Sequence, residues 1–176
     1  MQDPRYPIGK FESKPFSKAL KEECILDIQS LPTQLEFAVN GLDEGQLNEP
    51  YREGGWNVKQ VVHHIADSHM NAFIRFRLGL TEDNPTIKPY DENAWATLPD
   101  IDHVPINVSN TLLHALHRRW TAMLKFINDE QWERTVFHPE HKKQTTLWYL
   151  LQLYAWHGKH HVAHITSLRE KMNWNP

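Results

Sequence analysis

Four of the chain's 12 histidines fall within nine residues, in "HGKHHVAHI" from His157 to Ile165. His157 and His161 are four apart, and so are His160 and His164. That spacing stacks two imidazoles on one face of a helix. Each member of such a pair can give a nitrogen to a divalent metal at about 2.0–2.1 Å. A third ligand has to come from another element, as in bundles whose metal sites are built from side chains on facing helices. About 93 residues upstream, "VVHHIADSH" supplies His63, His64 and His69.

The helical period sorts these candidates. On the last segment Leu147, Leu150, Tyr154, Ile165 and Leu168 form an apolar stripe. His161 lies on that stripe and His157 at its edge, while His160 and His164 point further toward solvent. On the upstream segment Val58, Val61, Ile65, Ala72 and Phe76 form the stripe. His69 falls inside or beside it, His64 at its margin, and His63 points away. The period alone therefore favours His69 over His64 as the third ligand. His103, His114, His117, His138 and His141 are scattered and are expected on solvated faces.

"HGKHH" is not H-E-x-x-H, because Gly158 stands where a zincin carries its glutamate base. Any general base must come from elsewhere, for example from the 81–107 loop. Asp67, one turn past His64, is a candidate partner or base, and its plain reading is a solvated carboxylate. Trp56 reads as a packing anchor rather than a substrate platform.

Four long helical patterns must position these residues. The first starts near Ser17 and meets Pro32, where a kink or restart is expected; Asn40-Gly41 stops it. The second runs from about Val58 to Leu80, with Asn57 and Gln60 forming a capping box. Residues 81–107 form a long proline-containing loop of the kind that often wraps a site. Ser109 then reads as an N-cap, with Leu112, Leu116, Trp120, Met123 and Ile127 on one stripe. A short hairpin or irregular turn precedes Thr145 or Thr146, which starts the last helix, ending near Lys171. The reading is all-α: a single four-helix-bundle domain over 1–176, with the long loop free to cross the bundle so that simple alternation is not assured.

A net charge of -3 and the lack of basic blocks exclude a phosphate-backbone footprint, so no nucleic-acid partner is expected. Cys24 is the only cysteine and cannot form an internal disulfide. No apolar run approaches the roughly 20 residues of a membrane span, and the N-terminus is not a signal peptide. A cytoplasmic protein with no membrane partner is expected.

"PYREGGWNVKQVVHHIADSHMNAFIRFRLGLTEDNPTIKPYDENAWA" and "YAWHGKHHVAHI", with "YPIGKF" near the start, resemble the DinB-like superfamily and in particular its YfiT branch of metal-dependent hydrolases. The resemblance covers nearly the whole chain. It implies a four-helix bundle with a helix order that does not simply alternate, and one divalent metal per chain, zinc or nickel. It also implies a homodimer. The metal ligands it implies are His64, eight positions after the helix-opening Trp56, together with His157 and His161; it replaces the His69 favoured by periodicity with His64. The activity it implies is hydrolysis, with an open metal position to activate water. One alternative comes with it, transfer of a low-molecular-weight thiol such as bacillithiol or mycothiol to an electrophile; a different class of reading is a non-catalytic metal-binding or stress-response module. The substrate is expected to be a small molecule, and the catalytic residues are left open.

Overall fold

A computed structural model describes residues 3–174. Met1, Gln2, Asn175 and Pro176, the outer ends of the arm and of the domain read from the sequence, lie outside the described residues. Seven helices and one hairpin follow in order: α1 (Lys18–Val39), α2 (Glu44–Leu47), α3 (Val58–Thr81), α4 (Glu92–Trp95), α5 (Asp100–His103), α6 (Ile106–Leu124), a 3-10 turn (Glu130–Glu133), β1 (Thr135–His138), β2 (Lys143–Thr146) and α7 (Leu147–Met172). The strands pair antiparallel, Thr135 opposite Thr146. Among the described residues no helix is long and apolar enough to cross a membrane.

The starts of the long helices follow local chemistry. Ser17 caps α1 by accepting from the Leu20 N–H. Asn57 and Gln60 form the expected capping box at α3, and the Thr146 side chain caps α7. Helix α6 starts four residues earlier than Ser109 would place it, behind Pro105. Proline pre-sets the backbone for a first turn, and Ser109 instead turns its hydroxyl to His63 Nδ1 at 2.8 Å. Pro32 does not restart α1, which runs unbroken through it. The long loop carries α4 and α5 and is not irregular throughout. On α6 the stripe is Leu113, Trp120 and Leu124, all fully buried, whereas Leu112 is exposed.

Four helices, α1, α3, α6 and α7, make the bundle. Helix α1 packs on α6 and α7, and α3 packs on the same two. The order round the bundle is therefore α1, α6, α3, α7, so the first two long helices in sequence sit diagonally opposite. That is the non-alternating order expected from the resemblance. One cluster around Phe76, Trp120, Trp132 and Leu151 fills the end near the hairpin. A second around Leu35, Val61, Ile65 and Ile165 fills the other. The N-terminal arm lies along α7: Gln152 Oε1 accepts from the Lys14 N–H, Trp148 Nε1 donates to the Lys14 carbonyl, and Phe11 packs on Tyr149 and Trp156.

Candidate metal centre

The site sits between α3 and α7, at the join of the two core clusters. His64, His157 and His161 each offer one ring nitrogen to a group whose atoms all lie within 4.8 Å of one another, the only such group among the described residues. His157 Nε2 is 3.3 Å from His64 Nε2 and 3.1 Å from His161 Nε2. A tetrahedral ion with nitrogens at about 2.0–2.1 Å sets its ligands about 3.3–3.4 Å apart. The spacing found therefore suits one such ion.

Electrostatics point the same way. Burial pushes the His64 imidazole down to about 4. It also holds His157 and His161 well below the usual histidine value, with the neighbouring imidazoles adding to the effect. At neutral pH these rings are uncharged, so each keeps a lone pair on one nitrogen. Converging lone pairs this close repel one another, and a shared cation removes the repulsion. A neutral three-nitrogen donor set fits a borderline-soft divalent ion.

The floor opens into a cavity of about 400 Å³ whose walls include Tyr6, Arg52, Trp56, Glu92, His160 and His164. The loop before α3 shapes one wall. It turns at Gly54, whose φ of 65° suits glycine, and closes with the Tyr51 N–H donating to the Trp56 carbonyl at 3.1 Å. Trp56 then lies 4.6 Å from the His64 ring and nearly parallel to His161. It is a packing anchor, as read from the sequence, but one that packs on two of the grouped histidines.

Several other expectations change. His160 and His164 do not face solvent; both are buried, with their Nε2 atoms 3.0 Å apart. The arm and the pre-α3 loop cover them, Tyr6 beside His160 and Tyr51 stacked 4.0 Å from His164. His63 is buried against Ser109 rather than pointing away. His117 is 1% exposed, not solvated, while His114 beside it is 45% exposed near Glu36. His69, preferred by periodicity, is fully buried but faces the closed core, and stands outside the group of three. Asp67 is half-buried and does not line the cavity; burial and the Asp100 charge push its carboxyl up to about 6.

Gly158 shows why this helix has no glutamate there. A Cβ on Gly158 would lie 2.6 Å from Leu31 Cδ2, so that position is the contact between α7 and α1. Glu92, which the sequence offered only as part of a loop, is the carboxylate on the cavity wall. Glu92 is exposed, and partial desolvation against the cavity wall and then Asp91 raise its carboxyl above the usual range. Its signal was Asp91 followed by "ENAW", an Asp cap opening a short helix.

Residues 28–165 match the model of the DinB superfamily. The chain belongs to this superfamily. A Bacillus cereus strain B4264 protein named "Putative metal-dependent hydrolase" is 52% identical over 175 residues, 99% of this chain and the whole of that one. A Bacillus anthracis strain CDC 684 protein of the same name is 51% identical over the same span. Among solved structures, YfiT from Bacillus subtilis matches with a TM-score of 0.95 and 47% identity, covering 98% of this chain and 99% of that one. YfiT is described as "a probable metal-dependent hydrolase with an unusual four-helix bundle topology". The resemblance seen in the histidine segments thus extends over the chain, and the diagonal placement of α1 and α3 has its counterpart in that bundle.

Proposed function

We propose that this chain is a metal-dependent hydrolase of a small molecule, with His64, His157 and His161 holding one divalent ion, zinc or nickel. The observation that carries the reading is the convergence of three uncharged imidazoles, 3.1 and 3.3 Å apart at Nε2, on the floor of an open cavity. Three neutral ligands leave such an ion its full charge and an open position, which supplies the Lewis acidity that activates water. Trp56 helps hold the His64 and His161 rings in place, tilted against the first and nearly parallel to the second. Glu92 is the group we assign to accept a proton, since its carboxyl lines the cavity and is shifted toward neutral pH. Arg52, also on the wall, favours a substrate carrying negative charge, while Arg5 beside it is already paired with Asp3. The reading includes a cytoplasmic homodimer, for which Phe37 on α1 and Phe126 after α6, 73% and 89% exposed, offer apolar surface.

Gly158 favours a second reading, transfer of a small thiol to an electrophile. A thiolate needs no water-activating base, and α7 places none beside the histidines.

Metal content by ICP-MS on tag-free protein is the first test. Wild type is expected to hold about one ion per chain, lost in His64→Ala and His157→Ala and kept in His160→Ala. Hydrolysis of a p-nitrophenyl ester panel should then stop with chelator and return with zinc or nickel. Turnover of monochlorobimane only when a thiol is supplied would move the assignment to the transferase. Wild type without stoichiometric metal would end both readings.

A further inference from the structure

Behind His157 stand two more buried histidines. His157 turns Nε2 toward His64 and His161 and Nδ1 inward, where His69 Nε2 lies 3.3 Å away. His69 Nδ1 lies 3.1 Å from His117 Nε2. His117 Nδ1 meets the backbone carbonyl of Ile28 on α1. His69 and His117 are 0% and 1% exposed. Trp120 packs edge-on against both rings, and Tyr154 against His69.

We propose that His69 and His117 are positioning residues of the metal centre, a line of imidazoles that fixes His157 with its proton on Nδ1 and its Nε2 lone pair toward the ion. The inference rests on the metal-dependent function proposed above. The direction of every bond follows from one end. A carbonyl only accepts, so His117 donates from Nδ1 to Ile28. A neutral His117 then has a lone pair on Nε2, and His69 must donate to it from Nδ1. His69 is left with a lone pair on Nε2, which accepts the N–H of His157 Nδ1. The remaining lone pair of His157 is on Nε2, the atom in the group of three. A single backbone oxygen therefore sets three tautomers in series.

That oxygen is available for a reason written in the sequence. In an α-helix the Ile28 carbonyl would accept from the N–H four residues later. That residue is Pro32, which has no N–H and whose ring crowds the carbonyl behind it. The proline in the middle of α1 releases the acceptor that anchors the line. His161 has no equivalent support, since its Nδ1 is buried without a hydrogen-bond partner. Outer partners of this kind orient a ligating imidazole and raise its basicity, and their loss typically weakens metal binding about 10–100-fold.

The test combines two readouts that do not require turnover. Two-bond ¹H–¹⁵N NMR of ¹⁵N-histidine-labelled, metal-free wild type is expected to show His69, His117 and His157 all protonated at Nδ1. Zinc competition titration is expected to show affinity about 10–100-fold weaker in His69→Phe. Most of it should return in His69→Gln, whose Oε1 can accept the His157 N–H. His117→Phe, one step further back, should weaken zinc less than His69→Phe and let the His69 tautomer exchange. A His157 protonated at Nε2 in the metal-free protein overturns the proposal. So does zinc affinity within twofold of wild type in His69→Phe, with the metal-dependent function left standing. Wild type that binds no zinc or nickel at all removes that function and the metal end of this proposal together.

Discussion

Gly158→Ala would normally stabilise a helix, and in this chain the structure predicts the opposite. Removing a glycine from a helix interior gains about 1 kcal/mol of backbone propensity. The added Cβ, however, would sit 2.6, 2.9 and 3.2 Å from Leu31 Cδ2, Cδ1 and Cγ. Leu31 is 2% exposed and packed in the second core cluster, so it has no empty space to swing into. Overpacking of this kind costs about 1–3 kcal/mol. The overclosed contact involves the branch point as well as the tips, so the upper half of that range applies. The net expectation is a loss of about 1–2 kcal/mol, or roughly 3–6 °C in Tm for a chain of this size. Urea melts of metal-free wild type and variant, with equal m-values, would measure it. A second background sharpens the test. In Leu31→Ala, itself about 2–5 kcal/mol less stable, the space is open, and Gly158→Ala should now gain about 1 kcal/mol. The sign change is the signature of direct contact. Gly158→Ala as stable as wild type, or equally destabilising in both backgrounds, would refute the claim that Leu31 fixes this position as glycine.

Zinc at a hundred times its Kd should raise stability by about 2.7 kcal/mol, visible as a Tm shift that disappears in His157→Ala. Acid should destabilise the metal-free protein. His64 and His117 are held down to about 4 in the fold, while unfolded imidazoles titrate near 6.5. Stability present above pH 6.5 is therefore lost as pH falls toward 4, by up to about 3 kcal/mol for one such residue; urea midpoints at pH 7, 5.5 and 4.5 should fall in that order. Asp67 acts in the other direction, because its folded value is raised to about 6 from 3.8. Its contribution is full below 3.8 and lost as pH rises through 6, so Asp67→Asn should gain stability relative to wild type at pH 7 and not at pH 3.5. Glu92→Gln should lower kcat about 10²–10⁴-fold if Glu92 is the proton acceptor, with metal content by ICP-MS unchanged; unaltered kcat would remove it from the mechanism.

Three of the four long-helix starts were legible because they rest on local chemistry: Ser17, Asn57 and Thr146 each accept a backbone N–H near their helix start, whereas α6 has no side-chain cap. The histidines were legible only in part. A wheel treats a helix as having one covered side, and α7 has more than one. Its inner face meets α1 and α3, while the arm and the pre-α3 loop cover His160 and His164 from outside. These coverings come from sequence positions far from α7, so no local period reports them. His117 was misplaced because Arg118 and Arg119 stand beside it in sequence, yet only its own ring turns into the core. The period alone does not separate His64 from His69, for a different reason. Both point inward, but a wheel has no coordinate along the axis; His64 reaches the open cavity and His69 the closed core.

That missing coordinate is also what the helix order supplies. The imidazole line steps from Ile28 on α1 to His117 on α6, to His69 on α3, to His157 on α7. Each step joins helices that pack directly, because the order round the bundle is α1, α6, α3, α7. Had the four helices followed one another round the bundle, α1 and α6 would be diagonal, and a single imidazole could not bridge the gap between a carbonyl of one and a ring on the third. The unusual order and the proline in α1 are then parts of one arrangement. The first brings an α1 carbonyl next to α6, and the second strips that carbonyl of its helical donor. Fully satisfied, such a buried polar line adds rigidity; left with one member unpaired, it would cost more than an apolar core. Its three links run through the core up to His157, so that ring is tied to all four long helices.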